Sequence, residues 1–222
     1  MPTLNFADSV YTLDLGDDEN RFSPTWISDV NALLDTVVAG SEAAVLVTTG
    51  RGKFYSNGLD LEWIAGNAEQ APEYLLTGHQ LLARVLTLPV PTVAAINGHA
   101  FGAGAMFALA HDFRIMRSDR GYFCLPEVDI QVPFSPGIAA LVQGKLTPAA
   151  AMVAMTTGRR FDAPTAREFG LVDQIAEEAA VVRNATELVR PLAGKDRGTL
   201  ASIKTTMFGG VVAALRSGAH TG

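Results

Sequence analysis

Short apolar runs alternate with helical patterns along this chain, and that order restricts the fold more than any other feature of the sequence. Ala44 to Thr48, closed by Gly50, and PVPTVAAING, ended by Asn97 and Gly98, lack the polar alternation of a half-exposed strand. They predict strands buried on both faces. A helical pattern over 72–88 lies between them, and a helix of small residues over 102–111 followed by a strand over 113–116 repeats the order. Strand and helix alternating through short connections implies parallel strands with right-handed crossovers, an α/β architecture.

The flanks fit the same scheme. VYTLDL, Val10 to Leu15, alternates with period two and predicts a strand ended by the acidic turn GDDEN. Ser23 and Pro24 form an N-cap and first-turn pair for a helix with Trp26, Ile27, Val30, Leu33, Leu34 and Val37 on one face. The last third is mostly helical. Thr147 with Pro148, and Asp162 with Pro164, open helices, and LVDQIA reads as a small strand before a helix over 177–192. The tail from Gly198 to Ser217 is amphipathic, is expected to be interrupted at Gly209 and Gly210, and suits a neighbouring subunit as well as its own core. The expected division is a core over 1–194 and a short helical segment over 195–222.

Composition excludes several classes of function. With 222 residues, 48% hydrophobic and 18% charged, the chain suits one globular domain rather than a disordered one. A net charge of −6 disfavours nucleic acid as the main partner. No membrane span is expected, since runs such as Val90 to Ile96 are far short of the roughly 20 residues a spanning helix needs. The start, MPTLNFADSV, is acidic where a signal peptide is basic and apolar, and Cys124 is a single cysteine, so a reducing cytoplasm is the expected location. No spacing of His, Cys or acids suggests a metal site; His99 and His111 read as locally hydrogen-bonded.

Two loops are suited to presenting backbone N–H groups. In FYSNGLDL, Ser56, Asn57 and Gly58 stand between a strand and a short helix capped by Asp60. In GHAFGAGA, Gly102, Ala103 and Gly104 open the next helix. The first N–H groups of a helix have no intrahelical acceptor, and small residues let a ligand approach them. Either loop alone also reads as an ordinary strand-to-helix turn, and Glu127, in GYFCLPEVDI, as a surface acid.

Taken together and in this order, the segments resemble the crotonase family, the enoyl-CoA hydratase and isomerase superfamily, over about residues 1 to 208. KFYSNGLDL is similar to the family's first oxyanion segment, AAINGHAFGAGAMFALAHD to its second, and GYFCLPEVDIQVPF to the segment that carries a catalytic acid. The resemblance implies a crotonase-like ββα spiral with a helical C-terminal region that assembles homotrimers or dimers of trimers. It also implies a coenzyme A thioester as substrate, with no separate cofactor, held with its oxygen between the N–H groups of Leu59 and Ala103. Ser56, Asn57, Gly58, Gly102 and Met106 are the expected substrate-binding residues and Glu127 the catalytic acid. Ala103 and Gln131 each replace a glycine of the family pattern.

Met106 occupies the position that carries a second catalytic glutamate in hydratases. A thioether neither accepts nor delivers a proton, whereas moving a double bond from the 3 to the 2 position needs only one base. Met106, Phe107, Leu125 and Phe134 are expected to line a dry pocket that raises the Glu127 pKa. LPEVDIQVP also resembles the corresponding segment of plant Δ3,Δ2-enoyl-CoA isomerases, including the acid at Asp129. An isomerase is therefore the leading expectation. The alternatives are a hydratase using Glu127 with Asp129 or an ordered water, a non-catalytic acyl-CoA-binding subunit, and a thioester hydrolase or decarboxylase on the same frame.

Overall fold

The structure, a computed structural model, describes residues 1–217; the tail end, 218–222, lies outside the described residues. In chain order the elements are β1 (Thr3–Ala7), β2 (Val10–Asp14), α1 (Pro24–Ala39), β3 (Val45–Thr49), β4 (Phe54–Ser56), α2 (Leu61–Gly66), α3 (Ala71–Leu86), β5 (Thr92–Ile96), β6 (His99–Phe101), α4 (Ala103–Ala110), β7 (Phe113–Arg117), β8 (Phe123–Cys124), α5 (Pro136–Lys145), α6 (Pro148–Thr157), α7 (Ala163–Glu168), β9 (Gln174–Ala176), α8 (Val181–Val189) and α9 (Arg197–Arg216). The larger sheet has the order β1-β2-β3-β5-β7-β9 and the smaller one β4-β6-β8. Among these strands β1 and β2 pair antiparallel and the other strand pairs are parallel, while Phe123 of β8 makes an isolated antiparallel bridge to Phe161.

The pairs β3-β4, β5-β6 and β7-β8 each put one strand in each sheet and then lead to a helix, so the chain winds as a ββα spiral. β3 and β5 are buried along their whole length. On one face Val45, Val47, Val93, Ala95 and Ile115 pack against Val181, Ala185 and Val189 of α8. On the other, Leu46, Ala94 and Ile96 join the main core with α1, α3 and α4. That two-sided cover is why these strands read as unbroken apolar runs. Successive corners of the spiral are tied together, the Gly50 N–H donating to Asn97 Oδ1 at 2.9 Å.

Several elements escaped the pattern analysis. β1 forms a hairpin with β2 through Asp8 and Ser9, both at positive φ (50° and 65°). A two-residue turn of that kind is normally signalled by glycine or asparagine, and here it is not. The strands of the small sheet are two or three residues long, below any periodicity. The helix α5, capped by the Ser135 hydroxyl accepting from the Ile138 N–H, was likewise not anticipated.

The tail also departs from expectation, because α9 runs unbroken through Gly209 and Gly210. Glycine costs roughly 1 kcal/mol against alanine in a helix, and packing on α3 and α5 outweighs it. Lys204 in mid-helix is buried, its Nζ donating to Asp112 Oδ2 at 2.7 Å and to the Val90 carbonyl at 2.9 Å. Leu215 is fully buried near the end. By length and composition α9, at 20 residues and hydropathy 1.3, could cross a membrane; in this fold one face lies on the chain's own core. Removing one partner of a buried ion pair leaves the other charge stranded. Lys204→Met is therefore expected to cost about 3 kcal/mol in denaturant unfolding, and Lys204→Met with Asp112→Asn less than the single change.

Candidate active site

The small parallel sheet gathers the site. β4 pairs with β6, and β6 with β8, so the three chains leave the sheet side by side at its C-terminal edge. Parallel α/β sheets place their ligand sites at such edges. Leu59 follows the end of β4, Ala103 opens α4 after β6, and Glu127 follows the end of β8.

The first two exits touch through glycine. Gly58 (φ +80°) sits so close to the second loop that a Cβ there would lie 2.6 Å from the Phe101 carbonyl oxygen and 3.0 Å from the Ala103 nitrogen. Only a residue without a side chain permits that approach. Gly102 (φ +51°) turns the chain into α4, and a Cβ on it would lie 3.3 Å from Glu127 Oε1. The carboxylate thus stands directly beside the start of α4. Ala103 is the first residue of that helix, whose leading N–H groups receive no side-chain cap. Among the described residues no acceptor takes the Leu59 N–H either.

The other residues singled out in the first loop brace it. The Ser56 hydroxyl, fully buried, donates to the Asn20 carbonyl at 2.7 Å and accepts from the Gly58 N–H at 3.2 Å. Asn57 is tied to Glu19, by its N–H to the carbonyl and by its amide to the carboxylate. Asn20 holds β4 from behind, its amide donating to the Phe54 and Tyr55 carbonyls at 3.2 and 3.1 Å. Sequence reasoning passed over Asn20 as one residue of an acidic turn. Beyond Leu59, the Asp60 carboxylate caps α2 as expected, and the Tyr74 hydroxyl accepts from the Asp60 N–H at 2.9 Å.

Leu59, Ala103, Met106 and Glu127 line one cavity of about 190 Å³. Ser56, Asn57, Gly58 and Gly102 frame it from behind and do not line it. Phe22, Leu82, Val132 and Phe134 supply further apolar wall. Phe107 and Leu125 do not: both are fully buried in the core, where the Phe107 ring meets Phe22 and Trp26 edge-on. Asp129 is exposed and lies outside the cavity, its carboxylate against Gly158. His79 and Ser135 also line the cavity. Their only sequence signal is that Gly78 and His79 interrupt an apolar stripe of helical spacing with Leu75 and Leu82.

Glu127 is the one carboxylate among the lining residues. It is 7% exposed, and its Oε2 has no hydrogen-bond partner among the described residues. Burial raises its pKa from the ordinary 4.5 to about 7. Its backbone is held in a tight turn, the Asp129 and Ile130 N–H groups donating to the Pro126 carbonyl and the Val132 N–H to that of Glu127. Gln131, where the family pattern has glycine, adopts glycine-like φ +58° in the same turn.

His99, His111 and the cations Arg21 and Arg51 fall outside the cavity. His111 is buried, its Nδ1 bonded to the Phe107 carbonyl and its Nε2 to Thr48 Oγ1, and burial pushes its pKa down to about 3. His99 differs from expectation: its Nδ1 is buried without a hydrogen bond among the described residues, and its ring packs among Phe54, Phe101 and Tyr122. Arg21 pairs with Glu19, and Arg51 with Asp14 at 2.7 Å. Among the described residues no cluster of His, Cys, Asp and Glu could hold a metal ion.

Known proteins resemble this chain along most of its length. The family profile described as enoyl-CoA hydratase/isomerase matches residues 6–220. The chain belongs to that family. Enoyl-CoA delta isomerase 3 of Arabidopsis thaliana is 39% identical over 88% of this chain and 86% of its own length. The apo structure of an enoyl-CoA isomerase from Mycobacterium tuberculosis, 28% identical, superposes with a TM-score of 0.90 over 98% of this chain and 95% of that one. A second structure of the same Mycobacterium tuberculosis protein, described there as a probable enoyl-CoA hydratase, gives 0.91 at 28% identity over 98% of this chain and 92% of that one. The α/β spiral is the crotonase fold, and membership makes this an enzyme of the hydratase/isomerase type.

Burying an acid has a cost in stability with a definite pH dependence. Between the ordinary pKa of 4.5 and about 7 the folded chain holds a proton on Glu127 that the unfolded chain has lost, so this group makes stability fall as pH rises. Above that window the penalty is on the order of 3 kcal/mol, at 1.36 kcal/mol per pKa unit. Glu127→Gln should therefore melt several degrees higher than the parent at pH 8, with the gap narrowing toward pH 5. A gap independent of pH would place the strain elsewhere.

Proposed function

We propose that this enzyme shifts the double bond of a 3-enoyl-CoA thioester to the 2 position, with Glu127 as the sole proton carrier. The observation that carries the reading is the pairing of a single buried carboxylate with a methionine. Met106, 5% exposed, stands on the cavity where a hydrating enzyme needs a second acid, and Glu127 is the one carboxylate among the lining residues.

In the proposed reaction the thioester oxygen lies between the N–H groups of Leu59 and Ala103. Glu127, ionised, takes a proton from C2, and the electron pair moves into the conjugated dienolate, whose charge rests on that oxygen. The same carboxyl then returns the proton to C4, leaving the double bond between C2 and C3. Preorganised donors in a dry site contribute on the order of 3 kcal/mol each to such a transition state. The apolar wall of Phe22, Leu82, Val132 and Phe134 keeps water from the dienolate and holds the carboxyl near the working pH. The reaction requires no cofactor beyond the coenzyme A of the substrate.

Purified protein offered a 3-enoyl-CoA and a 2-enoyl-CoA in parallel is expected to conjugate the first and to leave the second almost unhydrated. Rapid hydration of the 2-enoyl substrate without isomerisation would overturn the proposal. Because the base must be ionised in the free enzyme, kcat/KM should rise with pH through about 7 and then level off. Glu127→Gln should lower kcat by about 10²-fold or more with binding largely kept; near-normal turnover would remove Glu127 from the mechanism. Met106→Glu is expected to add slow hydration of the 2-enoyl substrate, measured as loss of conjugated absorbance.

A further inference from the structure

The N–H groups of the first loop are almost all engaged within the chain. Those of Asn57, Gly58, Asp60 and Leu61 donate, respectively, to the Glu19 carbonyl, Ser56 Oγ, the Tyr74 hydroxyl and the Leu59 carbonyl. In that run the Leu59 N–H alone has no acceptor among the described residues, and Leu59 lines the cavity. What holds the two peptide groups on either side of Leu59 therefore decides where that N–H points.

The first group is held by its carbonyl. The Gly58 carbonyl accepts from the Phe22 N–H at 2.8 Å, and in a planar trans peptide the Leu59 N–H then points the opposite way. A group held at its carbonyl end alone can still rock about that bond. The second group is held by a side chain, the Asp60 N–H donating to the Tyr74 hydroxyl at 2.9 Å. Tyr74 comes from α3, is 4% exposed, and packs its ring on Trp63 of α2 with centroids 4.9 Å apart. Leu75 and Leu82 of the same helix line the cavity. One helix thus carries both a stretch of the apolar wall and the anchor of the donor loop.

We propose that Tyr74 is a positioning residue for the reaction: its hydroxyl fixes the peptide group that follows Leu59, and so aims the Leu59 N–H at the thioester oxygen. The inference rests on the reading of Leu59 as an oxyanion donor and adds the side chain that gives that donor its direction. A backbone donor stabilises a developing oxyanion to the extent that its orientation is set beforehand. A hydroxyl that only satisfied a buried N–H would contribute to folding and nothing else. Tyr74 is expected to contribute to polarisation of the thioester as well.

Infrared difference spectra of the intact protein with a saturated acyl-CoA, isotopically labelled at the thioester carbonyl, read donor contact without turnover, because such a thioester cannot isomerise. In the parent protein the carbonyl band is expected to move to lower frequency on binding. In Glu127→Gln it should move as far, since both donors are intact. Tyr74→Phe removes one oxygen and keeps the ring against Trp63. It should lose part of that displacement and lower kcat on 3-enoyl-CoA about fivefold, the worth of one net hydrogen bond, with affinity for the saturated thioester kept. The band position reports only folded, occupied protein, so a loss of folded material weakens the band without moving it. A parent band that moves, with the same position in Tyr74→Phe whatever its turnover, would overturn this proposal and leave the donor reading standing. A parent band that keeps its free-solution frequency would overturn the donor reading and this proposal with it. A displacement lost in Glu127→Gln would assign the polarisation to the carboxyl and likewise overturn the proposal.

Discussion

Everything in this structure depends on how the ends of one short, wholly buried helix are satisfied. All eight residues of α4 are buried, so neither its first N–H groups nor its last carbonyls can turn to bulk water. At the C-terminal end the chain supplies cations: Lys145 and Arg114 donate to the His111 carbonyl at 2.8 and 3.1 Å, and Lys204 pairs with Asp112. These come from α5, β7 and α9, so satisfying one helix end draws in three distant parts of the chain. The N-terminal end is treated differently. There the chain supplies a cavity, the backbone of Gly58 and the carboxyl of Glu127. The positive end of the helix dipole and its leading N–H groups are turned toward whatever occupies that space.

The same arrangement accounts for the state of Glu127. A carboxylate near a helix N-terminus is normally favoured in its charged form, yet burial wins here and the pKa rises to about 7. Desolvation prevails because the surrounding side chains are hydrocarbon and because Oε2 finds no donor among the described residues. A surface acid would be ionised at neutral pH but too weak a base for a carbon acid. A more deeply isolated one would rarely be ionised at all. The position found is intermediate, and in the proposed reaction that is what a single proton carrier requires.

The large sheet was legible in the sequence because burial on both faces leaves an unmistakable mark in β3 and β5, and the helix starts because Ser23, Thr147 and Asp162 are real caps. The small sheet was illegible because strands of two or three residues carry no period. Yet it is the small sheet that assembles the site. Leu59, Ala103, Met106 and Glu127 could be named in advance only through resemblance, since a lone glycine loop or a lone glutamate has many meanings. Asn20, His79 and Ser135 went unnoticed for a physical reason: each acts through a long-range contact, between parts of the chain far apart in sequence, that no local pattern encodes. Phe107 and Leu125 stand within two residues of Met106 and Glu127 in sequence, yet both point into the core, so nearness along the chain is a poor guide to which side chains line the cavity.

In the proposed reaction the groups that face the thioester oxygen, at Leu59 and Ala103, belong to the main chain. A point mutation cannot delete a backbone N–H except by introducing proline. The side chains at 106 and 127 can, by contrast, be exchanged without removing those N–H groups. Such a site separates what must be inherited as geometry from what can drift as chemistry. In the proposed reaction, a change of chemistry at 106 or 127 leaves the donor geometry in place.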